Sequence, residues 1–231
     1  MCGRYSLAVS TPADVRARFP VGESVEIRQR YNVAPADDVL AVTVDRDGSP
    51  RGELLRWGLV PSWAERPEIG LKMINARAET AAERPAFRRA YARYRCLVLA
   101  DGFYEWQAVP GARKQPFHIS SAGQPVFGFA GLWSIWHAPD GGTLRSCTIL
   151  TVAANAAVAP LHDRMRVILP ADAEAAWLDP RTPVAELAEM LVPLAPERTA
   201  VRAVSAAVND ARYDGPECLA PPLPSAQSTL F

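Results

Sequence analysis

The chain of 231 residues is poor in several things, and each shortage closes off a class of function. It has no run of about eighteen or more apolar residues, which argues against a membrane span. The opening MCGRYSLAVS lacks the charged-then-apolar layout of a signal peptide, so a cytoplasmic location is expected. Cysteine is scarce: the four, at 2, 96, 147 and 218, form no CxxC pair, which argues against both a zinc site and a disulfide framework. The three histidines, at 118, 137 and 162, are too scattered for a metal cluster, and no metal or organic cofactor is expected. Excess charge of either sign is also missing, with 25 basic and 25 acidic residues. A protein that wraps nucleic acid over a long electrostatic footprint is usually basic, so only a short contact through a local patch remains open. Neither an internal repeat nor a low-complexity block appears ahead of the C-terminal region.

What is present reads as short strands with a few helices. Thr11-Pro12 supplies an N-cap and first helical position for a helix to about Phe19. Residues 38–60 read as a hairpin, VLAVTV and GELLRWGLV around Asp47-Gly48. Strand-like apolar runs follow at 96–100, 126–136, 146–153 and 165–169, with Cys96 and Cys147 as small core residues within two of them. Helices are expected over 80–93, 172–178 and 183–192. Strands and helices do not alternate regularly, so the expected class is α+β, one domain over 1–218 with a mixed, largely antiparallel β core and peripheral helices. Residues 219–231 read as a flexible Pro-rich tail.

The candidate chemistry starts at Cys2. A small second residue favours removal of Met1, and the new terminus would be a 1,2-aminothiol. Its amine, with a reference pKa of about 7.7–8.0, and its thiol, about 8.5, are both partly nucleophilic near neutrality. The amine can condense with an aldehyde to an imine, and the thiolate can then close a thiazolidine ring. Taken alone, other candidates have bland readings. Asn75 in INAR suits a turn or strand end, and Glu105 in GFYEW suits the solvent face of a half-exposed strand. His162 in LHDR suits a capping role, Trp106 suits core packing as well as base stacking, and the arginines of RPAFRRAYARYR (84–95) suit a solvated helix face.

The company these residues keep is more specific. MCGRY, YNVAP (31–35), RWGLVPSW (56–63), INARAET (74–80), ADGFYEW (100–106), KQPFHI (114–119), LHDRMRVIL (161–169) and VSAAVND (204–210) occur in that order. Together they resemble the SRAP (SOS-response-associated peptidase) family, whose members crosslink abasic sites in single-stranded DNA. The resemblance spans nearly the whole chain except the tail, with Ala206 standing where many relatives carry a basic residue. It implies a catalytic set of Cys2 as nucleophile, Asn75 orienting the opened sugar, and Glu105 and His162 moving protons. It further implies DNA contacts from Arg4, Arg77 and Arg164 to phosphates, stacking by Trp63 and Trp106, and a groove shaped by Asn32 and Pro35. The expected partner is abasic single-stranded DNA bound by a monomer, with AP-lyase activity through the imine as an accessory reaction. Two rival readings are a cysteine peptidase using Cys2 and a non-covalent single-strand adaptor. Separately, Gln227, Leu230 and Phe231 in QSTLF match the bacterial sliding-clamp-binding pentapeptide, which would bring the protein to replicating, nucleoid-associated DNA.

Overall fold

A computed structural model describes residues 3–8, 11–45, 47–111 and 113–223. Its strands are β1 (Arg4–Leu7), β2 (Arg30–Val33), β3 (Asp38–Val44), β4 (Pro50–Trp57), β5 (Asn75–Arg77), β6 (Arg95–Ala100), β7 (Gly102–Gln107), β8 (Gln115–Ser121), β9 (Phe127–His137), β10 (Thr143–Ala153), β11 (Arg164–Arg166) and β12 (Thr199–Ala203). The helices are short: α1 (Pro12–Arg18), α2 (Ala78–Ala81), α3 (Arg88–Arg93), α4 (Glu174–Leu178) and α5 (Val184–Met190). This is the α+β class, with an extensive sheet core and helices at its edges.

One sheet has the order β12-β8-β7-β1-β2 and is antiparallel throughout. The other runs β11-β10-β4-β3-β6-β9, and β9 returns to pair with β10, closing five strands into a barrel. At 11 residues, β10 outlasts the closure. Its first part joins β9 and β4, and its last part is flanked by β5 on one side and β11 on the other. The two sheets share one core, where Tyr5 stacks edge-on against Trp57 and Phe129, at 5.4 and 5.9 Å between ring centroids. Burying aromatic groups of this size is what holds the layers together; truncating one to alanine costs about 3–5 kcal/mol.

Local chemistry explains the clear element boundaries. Thr11 caps α1 through the Asp14 N–H, and Asp14 reaches back to the Thr11 N–H, a reciprocal capping box. The hairpin is β3–β4, turning through Gly48 at a φ of 85°. The helix expected over 80–93 is instead two, α2 and α3, because Pro85 falls between them and lacks the N–H a continuous helix needs. The strand expected over 165–169 is shorter, Arg164–Arg166, followed by a single bridge from Ile168 to Phe129.

The C-terminal segment covers the outer face of the five-stranded sheet. Asp214 accepts hydrogen bonds from the Tyr31 and Asn32 N–H groups, at 2.6 and 2.7 Å, and pairs with Arg30. Cys218 is fully buried against Tyr104, Val204 and Val208, and the Ser205 N–H donates to the Ala220 carbonyl. Ordered packing thus reaches about residue 220. The clamp-motif residues Gln227, Leu230 and Phe231, like Cys2, lie outside the described residues.

Candidate active site and nucleic-acid interface

β7 carries its motif on two faces. Strand alternation sends Phe103 and Glu105 toward the shared core and Gly102, Tyr104 and Trp106 outward beneath the C-terminal segment. Glu105 is therefore not on a solvent face: it is 2% exposed. The expectation of a half-exposed strand fails because alternation identifies two faces but not what a second sheet covers. Its Oε1 is buried and accepts no hydrogen bond among the described residues. A buried carboxylate oxygen without a donor is costly, which sets Glu105 apart from an ordinary surface carboxylate.

β1 brings the start of the chain to this carboxylate. It runs antiparallel to β7 with Arg4 opposite Tyr104 and Tyr5 opposite Phe103, so the chain preceding Arg4 heads toward the Glu105 end of β7.

The rim of the site is built on the far end of β10. Asn75 lies in register with Ile149, and Arg77, Thr151 and Arg166 form one row across β5, β10 and β11. Arg166, which sequence reasoning missed, is fully buried. Its guanidinium lies over the rings of Trp57, Phe129, Tyr5 and Phe103 at 4.9, 5.1, 5.2 and 5.8 Å. It thereby connects the rim to the inner face of β7. The available signal was a second arginine two residues after Arg164, on the same strand face and just before the apolar run VIL. Burial raises the Tyr5 hydroxyl well above its ordinary range, reinforced by Cys147 and opposed by Arg166, so Tyr5 stays neutral beside that cation.

His162 is half-buried. Its Nδ1 accepts the Arg164 N–H at 2.9 Å and lies 2.9 Å from Asp163 Oδ1. The first contact fits a ring whose proton sits on Nε2. Arg164 forms a bidentate pair with Glu79 at 2.6 and 2.8 Å and also donates to the Thr151 carbonyl. The Arg164 hydrogen bond to Glu79 is the main cause holding the Glu79 carboxyl below its usual range. Arg77 is exposed at the rim.

The remaining expected residues divide by environment. Arg4 is half-buried, donating to Asn32 Oδ1 and the Val208 carbonyl at 2.9 and 3.0 Å. Asn32 is buried, and its amide donates to the carbonyls of Val208, Asp210 and Tyr213, so it ties β2 to the C-terminal segment. Pro35 sits in the turn after β2, where the Asp37 N–H bonds the Ala34 carbonyl. Trp106 is half-buried, with its Nε1 donating to Asn209 Oδ1 at 2.6 Å. Trp63 is 59% exposed and lines a groove with Arg89, Tyr94 and Trp133. In the basic segment, Arg84, Arg88, Arg89 and Arg93 are exposed, whereas Arg95 is buried and donates to four backbone carbonyls, those of Trp177, Tyr91, Ala92 and Asp179. Tyr91 is also core, stacked on Trp177, so its pattern with the arginines reflects packing.

Residues 1–211 match the family model described as SOS response associated peptidase (SRAP). The chain belongs to the SRAP family. Among curated relatives, the SRAP chain is 39% identical to the abasic site processing protein YoqW of Bacillus subtilis, over 95% of this chain and 99% of that one. It is 33% identical to the abasic site processing protein HMCES of Xenopus tropicalis, over 95% of this chain and 78% of the other. A solved structure of a protein from Bacteroides thetaiotaomicron superposes with a TM-score of 0.84 at 26% identity, covering 96% of this SRAP chain and all of that one. The family match ends at 211, yet Asp214 and Cys218 still pack into the SRAP unit. No helix among the described residues is long and apolar enough to cross a membrane.

Proposed function

We propose that this protein processes abasic sites in single-stranded DNA by covalent capture on its own N-terminal residue. The observation that supports this most is the convergence at Glu105: a buried carboxylate oxygen awaiting a donor, at the end of β7 toward which β1 directs the start of the chain. With Met1 removed, the Cys2 amine attacks the C1′ aldehyde of the opened sugar. Glu105 takes a proton from the attacking amine and returns it to the departing hydroxyl, so water leaves and an imine forms. The Cys2 thiolate then adds to the imine carbon, the nitrogen takes up a proton, and the thiazolidine closes. His162 protonates the sugar ring oxygen during opening, and Asn75 orients the sugar. Arg4, Arg77 and Arg164 hold the flanking phosphates, Arg164 exchanging its Glu79 partner for the strand. Trp106 and Trp63 stack on bases, with Asn32 and Pro35 shaping the groove. β-Elimination from the imine would give strand cleavage as an accessory lyase reaction, which ring closure suppresses. The segment Gln227 to Phe231, with Leu230 as the other apolar anchor, docks on the replication sliding clamp and delivers a monomeric protein to exposed template.

Incubation of the mature protein with a single strand carrying one abasic site, followed by a denaturing gel, tests the reading. A shifted band that Cys2→Ala abolishes is the expected result. Absence of any covalent band from protein with confirmed Met1 removal would overturn it, leaving the peptidase and adaptor readings to be tested with a peptide panel and a salt titration of binding.

A further inference from the structure

On the face of the five-stranded sheet opposite Glu105, a second buried cluster joins Ser6, Asp101 and His118, none more than 4% exposed. Ser6 Oγ lies 2.5 Å from Asp101 Oδ1 and 2.9 Å from His118 Nε2. A carboxylate can only accept, so the Ser6 hydroxyl donates to Asp101, and the Ser6 oxygen in turn accepts the His118 Nε2 proton. The bonds therefore run one way, from His118 to Ser6 to Asp101. This is the reverse of a hydrolytic triad, in which histidine takes the serine proton, and burial denies it a substrate. The other Asp101 oxygen accepts from the Ala8 N–H, and the Asp101 N–H donates to the Ser6 carbonyl at 2.9 Å. One aspartate thus grips β1 at two residues.

The surroundings keep this arrangement in one form. A Cβ on Gly102 would lie 2.2 Å from His118 Nε2, so only glycine leaves room for the imidazole. The Tyr104 ring covers His118 at 5.1 Å between centroids. Burial, aided by Arg202 opposite on β12, lowers the His118 pKa to about 3, so the ring stays neutral.

We infer that Ser6, Asp101 and His118 form a clamp that fixes β1 in register against β7 and so positions the chain's first residues at Glu105. They are positioning residues that touch no substrate, and in its chemical consequence the inference rests on the covalent-capture reading. β1 is only four residues long and leads directly to the proposed nucleophile, so fraying would move the amine away from its target. A displacement of about 1 Å at a reacting atom can cost on the order of a hundredfold in rate.

The test compares the full-length protein with Ser6→Ala, which deletes one oxygen, Gly102→Ala, which drives the imidazole off Ser6, and Ser6→Thr, which restores a hydroxyl. Binding is measured with a strand carrying tetrahydrofuran, an abasic analogue without an aldehyde, and adduct formation with saturating aldehyde DNA. Backbone amide exchange of Tyr5 to Leu7 is followed in parallel. Ser6→Ala and Gly102→Ala are expected to slow adduct formation by about tenfold or more while affinity changes less than about twofold, and Ser6→Thr to recover most of the rate. Exchange in β1 should accelerate while exchange in β6 and β9 stays unchanged. Adduct rates within about twofold of the parent in folded Ser6→Ala protein would overturn the inference. If the parent itself forms no adduct, the covalent reading fails, and the exchange measurement alone decides the clamp: unaltered β1 exchange in Ser6→Ala refutes it.

Discussion

The two faces of β7 are built to opposite rules from alternate residues of one motif. On the outer face, the Tyr104 hydroxyl donates to the Tyr31 carbonyl at 2.6 Å, Trp106 donates to Asn209, and Ser6 and Asp101 are bonded to each other and to neighbours. Only His118 Nδ1 lacks a partner there among the described residues. On the inner face, Glu105 presents a buried oxygen that no described residue answers, on the same strand face as Phe103, whose ring lies under the Arg166 guanidinium. A closed polar face fixes geometry, whereas an open polar atom in a buried setting stores affinity for something that comes later. One strand does both because its side chains alternate.

Several changes should break or sharpen this contrast. The largest effect is expected on the inner face, where Glu105→Gln keeps the shape and removes the base. Adduct formation should fall by about 10²-fold or more with no loss of thermal stability, seen by gel kinetics beside a melt. An equal loss of both would mean that Glu105 is a scaffold residue.

The next effect belongs to the outer face and depends on pH. The folded pKa of His118, about 3, lies below its ordinary 6.5, so the unfolded chain binds the proton more readily. The contribution of the neutral ring is complete above about pH 6.5 and is lost as pH falls toward 3, up to several kcal/mol. Denaturant unfolding at pH 7 and pH 4 should show it, and His118→Gln should flatten that part of the profile. An unchanged pH dependence in the variant would place the titration elsewhere.

Smaller still, Tyr104→Phe removes the hydroxyl bonded to Tyr31 and should cost about 1–2 kcal/mol of stability, with the adduct rate unaltered. A rate loss without a stability loss would merge the two faces into one functional unit. The least effect is expected at the exposed rim: Arg77→Gln should weaken binding a few-fold across all sequences and reduce the slope of log affinity against log salt by about one.

Much of this was legible before any coordinates. The capping box at Thr11 and Asp14, the β3–β4 hairpin and the apolar strands β6, β9 and β10 follow from local preference and periodicity. The ordered motifs also brought Cys2, Asn75, Glu105 and His162 to notice. Burial was not legible, because it depends on what packs above a strand. Glu105 looked half-exposed and Cys218 uninformative, yet one lies under the second sheet and the other is packed against Tyr104.

The sequence by itself determined which residues can do chemistry, where the first helix is capped, and to which family the chain belongs, since these depend on residue type and short spacings. Only the tertiary structure decided that Arg166 sits among four rings, that Asp101 grips β1 through Ser6 and Ala8, and that Asp214 pins β2. Each of those contacts joins segments far apart in the chain. The environment that turns an ordinary carboxylate, serine or arginine into a working part exists only once the two sheets have closed on each other.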